Sequence, residues 1–197
     1  MPKFNTRLKA IKIALKPIKG SLLVAKPSII GDVSFNRAVI LLVEHSEDGT
    51  IGFILNKPLE YSLVDFIPEI KNEIPVHNGG PVEQDNLYYI HTIPYLIANS
   101  IPITNGLYWG GDFEQVTAGI QSGTITKNDI QFFLGYSGWD ANQLEQEIEG
   151  ETWVVKENEH QQEIIKKYCP AMWRNFMVAL GGSYSVWANA PENPNNN

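Results

Sequence analysis

The chain has 197 residues, 43% hydrophobic and 19% charged, with a net charge of −7 at pH 7 and a single cysteine. A chain of this length buries roughly 70% of its unfolded surface and needs no staples, and Cys169 alone cannot make an internal disulfide. No apolar run reaches the ~18 residues of a membrane span, so the expectation is a cytoplasmic globular protein with one folded domain over residues 21–189.

Charge is spread unevenly. Of the 15 Lys and Arg residues, six (Lys3, Arg7, Lys9, Lys12, Lys16 and Lys19) fall in residues 1–20, which hold no acid. The other nine stand against 22 carboxylates, a net of −13. An acidic body repels the phosphates that supply most affinity for DNA, so direct DNA binding is not expected of it. Within the basic arm, Leu8, Ile11, Leu15 and Ile18 share helical spacing, the pattern of a surface or docking helix. Pro17 interrupts the last turn and no small-residue cleavage site follows, so a docked or mobile arm is preferred over a membrane helix or a signal peptide.

Leu22 to Ala25 predicts a strand. Ala38 to Val43 is an unbroken apolar run without alternation, which predicts a strand buried on both faces. Glu44 to Asp48 reads as a polar loop, Asp48-Gly49 as a tight turn, and Ile51 to Leu55 as the antiparallel return, ended by Asn56-Lys57-Pro58. Tyr61 to Ile70 reads as a short helix opened by a capping box, Ser62 with Asp65. Ile74 to His77 and Leu87 to His91 read as strands separated by the breaker Asn78-Gly79-Gly80-Pro81.

Ile93 to Ile103 carries Pro94 and Pro102 and reads as irregular; Leu107 to Trp109 is a short strand. Asp112 predicts the N-cap of a helix with Phe113, Val116 and Ile120 on one stripe and Gly123 just past its end. Ile130 to Leu134 predicts a strand, Gly135 to Trp139 a sharp strand-to-helix turn, and Asn142 to Ile148 a helix with Leu144 and Ile148 inward. Trp153 to Val155 predicts a strand. Glu159 to Tyr168 and Ala171 to Leu180 predict two helices split by Pro170, and residues 190–197 a disordered polar tail. Hairpin signals without a regular βαβ rhythm give an α+β class with a largely antiparallel sheet.

Three blocks, Leu22 to Pro58, His77 to His91 and Phe133 to Trp153, in this order and spacing, resemble the YqgE/AlgH family of small bacterial proteins (UPF0301, DUF179). The chain has Asp32-Val33-Ser34-Phe35 where that family commonly has Asp-Pro before the Phe. The resemblance implies a bifurcated, partly barrel-like sheet flanked by helices. It also brings a transcriptional-regulator label, attached by association with alginate regulation, and no biochemical activity or cofactor.

The residues themselves offer weak site signals. Glu44-His45 at a strand end could form a base near neutral pH, but no G-x-S-x-G or partnered Cys supplies a nucleophile, and a loop-capping pair is preferred. His45, His77, His91 and His160 lack metal-ligand spacing, so no metal is expected. Gly79-Gly80, like Gly135-Tyr136-Ser137-Gly138, could let a backbone approach a ligand, although tight strand exits explain them better. Trp139, Gln143 and Glu147 recur at i, i+4, i+8, with Trp139 read as a core or groove anchor. Asn56 and Lys57 could lend polar groups to a groove. The leading reading is a non-enzymatic regulatory or binding protein acting through a small molecule or a protein partner, with no cofactor. Its candidate contacts are Arg37, Glu44, His45, Asn56, Lys57, Gly79, Gly80, Tyr136, Trp139 and Gln143. The alternatives are an enzyme working in a polar groove around Arg37, Glu44 and His45, and a DNA-binding regulator using the basic arm.

Overall fold

The computed structural model describes residues 15–29, 32–166 and 169–190. Most of the basic arm and all but the first residue of the polar tail lie outside this range. Of the arm, residues 15–19 are described and are not helical, and Ile18 is 63% exposed, so it is not a core residue.

Strand β1 (Leu22–Ala25) lies between β10 (Trp153–Lys156) and β2 (Val39–Ser46), antiparallel to both. Ala38 to Val43 are fully buried, as the unbroken apolar run requires. Its five Val, Ile and Leu side chains each contribute about 1.5–3 kcal/mol of burial. The strand runs on through Glu44 and His45 to Ser46, and β3 (Gly49–Ile54) returns against it. The residues expected to form a polar loop therefore belong to the ladder, because Glu44, His45 and Ser46 pair with Ile51, Thr50 and Gly49.

The largest departure from expectation is β9 (Ile130–Asp140), eleven residues long. Gly135 to Trp139 is not a strand-to-helix turn; the strand continues through its glycines and changes partners. One edge of β9 pairs with β6 (Val82–His91). On its other edge, Phe132 to Leu134 pair in parallel with β5 (Pro75–Asn78), and Ser137 to Asp140 pair antiparallel with β3. The sheet forks at Gly135. Among the described residues it has ten strands, is not closed, and contains the one parallel pair β5–β9.

Other elements shift for local reasons. Residues 61–70 give only a short 3-10 turn, Leu63–Asp65, because β4 (Pro58–Ser62) is drawn into pairing with β5. The capping contact still forms, with Ser62 N donating to the Asp65 carboxylate at 2.7 Å. Residues 101–104, expected to be mostly irregular, form edge strand β7 (Ile101–Thr104) against β8 (Leu107–Trp109). Pro102 is tolerated there because an edge strand has a side that need not donate. Residues 159–166 hold only a 3-10 segment, Gln161–Ile165, where a full helix was expected.

Helix α1 (Phe113–Gln121) is capped by Asp112, which accepts from Glu114 N and Gln115 N. It buries Val116 and Ile120, while Phe113 is 38% exposed. Helix α2 (Gln143–Glu149) buries Leu144. Helix α3 (Met172–Leu180) is followed by an unforeseen α4 (Ser183–Trp187). Strand alternation divides two cores: Phe133 joins Phe53 and Ile90, whereas Phe132 joins Tyr89, Val116 and Ile120 under α1.

Gly135 has φ 67°, and a Cβ on it would lie 2.6 Å from Val82 O and 2.8 Å from Gly80 O. Gly110 has a similar φ of 62° but meets nothing within 4 Å. Gly110→Ala is expected to cost about 1–2 kcal/mol, the left-handed penalty alone. Gly135→Ala should cost clearly more, and equal denaturation midpoints for the two variants would show that the fork does not depend on close backbone approach.

Candidate binding sites at the two ends of one strand

The first depression is an open groove of about 440 Å³ where β2, β3 and the second half of β9 come together. Register places Glu44, Ile51 and Gly138 side by side on one face. Glu44, Asp48, Ile51, Val82, Tyr136 and Asp140 line the groove, so its charge is negative. Tyr136 meets Tyr88 edge-on at 5.7 Å, and the Tyr88 hydroxyl donates to Glu83.

Alternation puts His45, Thr50 and Trp139 on the opposite face, toward α2. Trp139 is 5% exposed and its indole Nε1 donates to Glu147 Oε2 at 2.9 Å. Trp153 Nε1 donates to the same oxygen at 2.7 Å, and Gln143 Nε2 donates to Glu147 Oε1 at 2.9 Å. Gln143 Oε1 accepts from Asp140 N at 3.0 Å, which ties the start of α2 to the end of β9. Phe35 stacks on Trp139 and meets Trp153 edge-on. The i, i+4, i+8 spacing was a real signal, but it links a strand to a helix through one carboxylate. Trp139 contributes a buried anchor that, with Gln143, also borders the groove.

His45 turns away from Glu44. Its Nδ1 lies 2.7 Å from Thr50 Oγ1, and its Nε2 lies 3.6 Å from Glu145. The carboxylate near His45 is therefore one that sequence reasoning did not single out.

The second depression, about 550 Å³, lies where β2 begins and β3 ends. It gathers Arg37, Asn56 and Lys57 and adds Trp173 and Arg174, which sequence reasoning missed because 117 or more positions separate them from Asn56. Asn56 is 8% exposed; its Oδ1 accepts from Val39 N at 2.8 Å and its Nδ2 donates to Arg37 O at 2.9 Å. Lys57 Nζ donates to the Val33 and Ser34 carbonyls. Arg37 has φ 55°, and its guanidinium lies 5.0 Å over the Trp173 ring and donates to Ala190 O at 2.7 Å.

Arg37 and Glu44 are seven residues apart along an extended segment, roughly 20 Å at ~3.3 Å per residue. A single polar groove around Arg37, Glu44 and His45 is thus corrected: the three residues are distributed over two ends and two faces of β2. Gly79 and Gly80 line neither depression. A Cβ on either would lie 2.2 Å from a β9 carbonyl, Gly135 O or Tyr136 O, so their lack of a side chain serves strand packing. Among the described residues no group of three His, Cys, Asp or Glu could hold a metal ion. His91 is fully buried with Nε2 facing Gly110 O and Nδ1 accepting from Ile93 N.

The AlgH-like family, DUF179, matches residues 22–185. A UPF0301 protein of Bacteroides fragilis is 42% identical over 183 residues, covering 92% of each chain. A UPF0301 protein of Chlorobaculum tepidum is 40% identical over 184 residues, covering 93% of this chain and 96% of its own. The solution structure of AlgH from Pseudomonas aeruginosa superposes with a TM-score of 0.66 at 26% identity, covering 90% of this chain and 98% of that one. A crystal structure of a Corynebacterium diphtheriae protein, at 24% identity and TM-score 0.65 over 90% and 94% of the two chains, shares the fold.

Trp139→Ala is expected to cost about 3–5 kcal/mol, the range for a buried aromatic reduced to a cavity. Glu147→Ala would strand two indole N–H groups at about 1–3 kcal/mol each. Urea denaturation checks both, and an unchanged midpoint for Trp139→Ala would refute the anchor role.

Burial pushes the His77 imidazole down from 6.5 to about 4, against a hydrogen bond to the Phe132 backbone that raises it. The folded state keeps His77 neutral while the unfolded chain takes up a proton below pH 6.5. Stability should therefore be lost as pH falls from 6.5 toward 4, by about 3 kcal/mol from this residue. The melting temperature of His77→Gln should fall less over that window than that of the parent chain; parallel curves would remove His77 as the cause.

Proposed function

The chain belongs to the AlgH-like DUF179 family, and on that footing we propose that it is a cytoplasmic regulatory or binding protein that acts through a small ligand or a protein partner and is not a catalyst. One observation carries this reading. Of the polar residues that the sequence singles out, Glu44, Tyr136 and Gln143 line one open depression and Arg37, Asn56 and Lys57 the other, and Gln143, Arg37, Asn56 and Lys57 are held by bonds to backbone and neighbouring side chains. Such walls recognise a shape and a charge. The unpaired Cys169 fits a reducing compartment, and the net charge of −13 beyond residue 20 disfavours a DNA backbone as the partner. Among the described residues no helix is long and apolar enough to cross a membrane.

A second reading, an enzyme, has one observation in its favour. Thr50 Oγ1, His45 and Glu145 form a hydroxyl–imidazole–carboxylate series. Thr50, however, is 5% exposed: it borders the groove, but its hydroxyl is engaged by His45 on the face that α2 covers.

Native mass spectrometry of the gently purified full chain tests the main reading. A copurifying adduct lost in either Glu44→Gln or Arg174→Gln is expected. A chain that carries no adduct but hydrolyses p-nitrophenyl acetate, with the activity lost in His45→Ala, would overturn the binding reading in favour of the enzyme.

A further inference from the structure

We propose that the pocket where β2 begins binds a small phosphorylated organic anion. This rests on the reading of the chain as a ligand-binding protein and gives that ligand a chemical class.

The charge distribution is the first argument. Beyond residue 20 the chain holds nine cations against 22 carboxylates, yet three of the nine, Arg37, Lys57 and Arg174, line this one pocket. The remaining polar lining is amide, from Asn36, Asn56 and Asn78, and no carboxylate lines it among the described residues. A concave site of one sign focuses potential and selects a ligand of the other.

The second argument is preorganisation. The cations are positioned by backbone carbonyls: Lys57 by Val33 and Ser34, Arg37 by Ala190, and Arg174 Nε by Ala188 at 3.1 Å. Arg37 also sits at φ 55°, a conformation costly for a non-glycine residue, held in place by the Asn56 bond to its carbonyl. Arg174 Nη2 bonds Asn189 Oδ1, and a guanidinium has further donors in the same plane for an oxyanion.

The third argument is the helix end. Pro170 and Ala171 line the pocket and α3, nine residues long, begins at Met172. Its N-cap, Ala171, has no side chain to satisfy the first amides, so the positive end of the helix dipole adds to the field of the cations.

Size separates an organic phosphate from the bare ion. The volume of about 550 Å³ leaves room beyond a phosphate, and that room is bounded by amides and by Pro58 and Leu59, which suit a neutral, polar molecular body.

Isothermal titration of the full chain at low ionic strength, with inorganic phosphate, glucose 6-phosphate and AMP as probes, tests the proposal. At least one organic phosphate should bind more tightly than inorganic phosphate. Its affinity should fall about tenfold or more in Arg174→Gln and in Lys57→Gln, the loss of one charge-assisted bond, and stay unchanged in Glu44→Gln at the far groove. Arg174 is exposed, so its variant keeps the fold, and an unchanged melting temperature verifies this. No binding of any probe at millimolar concentration overturns the proposal, as does equal affinity in Arg174→Gln. Inorganic phosphate binding as tightly as both organic probes overturns the organic ligand. If the probes fail while a copurified adduct is lost only in Glu44→Gln, the anion pocket falls and the binding reading stands.

Discussion

The structure depends on one close approach of backbones, at the fork of the sheet. Gly79 donates its N–H to Leu134 O of β9 at 2.8 Å, and its carbonyl accepts from Ile54 N of β3 at 3.0 Å and from Ser137 Oγ at 3.1 Å. One residue thus joins three strands at the place where β9 exchanges β5 for β3. No side chain fits there: a Cβ on Gly79 would lie 2.2 Å from Gly135 O, and one on Gly80 would meet the Tyr136 carbonyl equally closely. The backbone groups freed where two strands part are satisfied by this stitch, which is what a buried fork demands.

The fork decides where the side chains go. Because β9 continues past it, Trp139 arrives on the face that α2 covers, and Glu147 can accept from both Trp139 and Trp153. Strand β2 is enclosed on both faces, so its central residues are unavailable for chemistry and only its ends reach solvent. The two depressions lie at those ends, one walled by acids and one by cations.

Much of the frame is legible in the sequence because it rests on local rules. The apolar run of β2, the Asp112 cap and the stripe of Val116 and Ile120 need nothing distant to be read. Long-range pairing is what local rules miss. Glycines at 135 and 138 look like chain breakers, yet they let β9 pass a crowded crossing and remain in the ladder. Residues 58–62 carry helix signals on their far side but take the strand that β5 offers. The candidate site is legible in part for the same reason: Asn56 and Lys57 sit at a visible strand end, whereas Trp173 and Arg174 join them only through the packing of α3, with Trp173 Nε1 donating to Ala25 O.

The separation of the two depressions limits how they can influence one another. Roughly 20 Å of strand exceeds the screening length of about 8 Å at physiological salt, so an anion at Arg174 exerts little direct field on Glu44. Coupling between the two ends would have to be mechanical and travel along β2. That strand is packed on both faces and hydrogen-bonded on both edges, so a second arrangement of it would have to break that packing and pairing. A ligand shifts an equilibrium only where two states exist and it prefers one of them. The buried centre of β2 therefore disfavours coupling between the two depressions, and motion is easier in the segments at its ends: the loop before Arg37, held by Lys57, and the stretch from Ala188 to Ala190, held by Arg37 and Arg174.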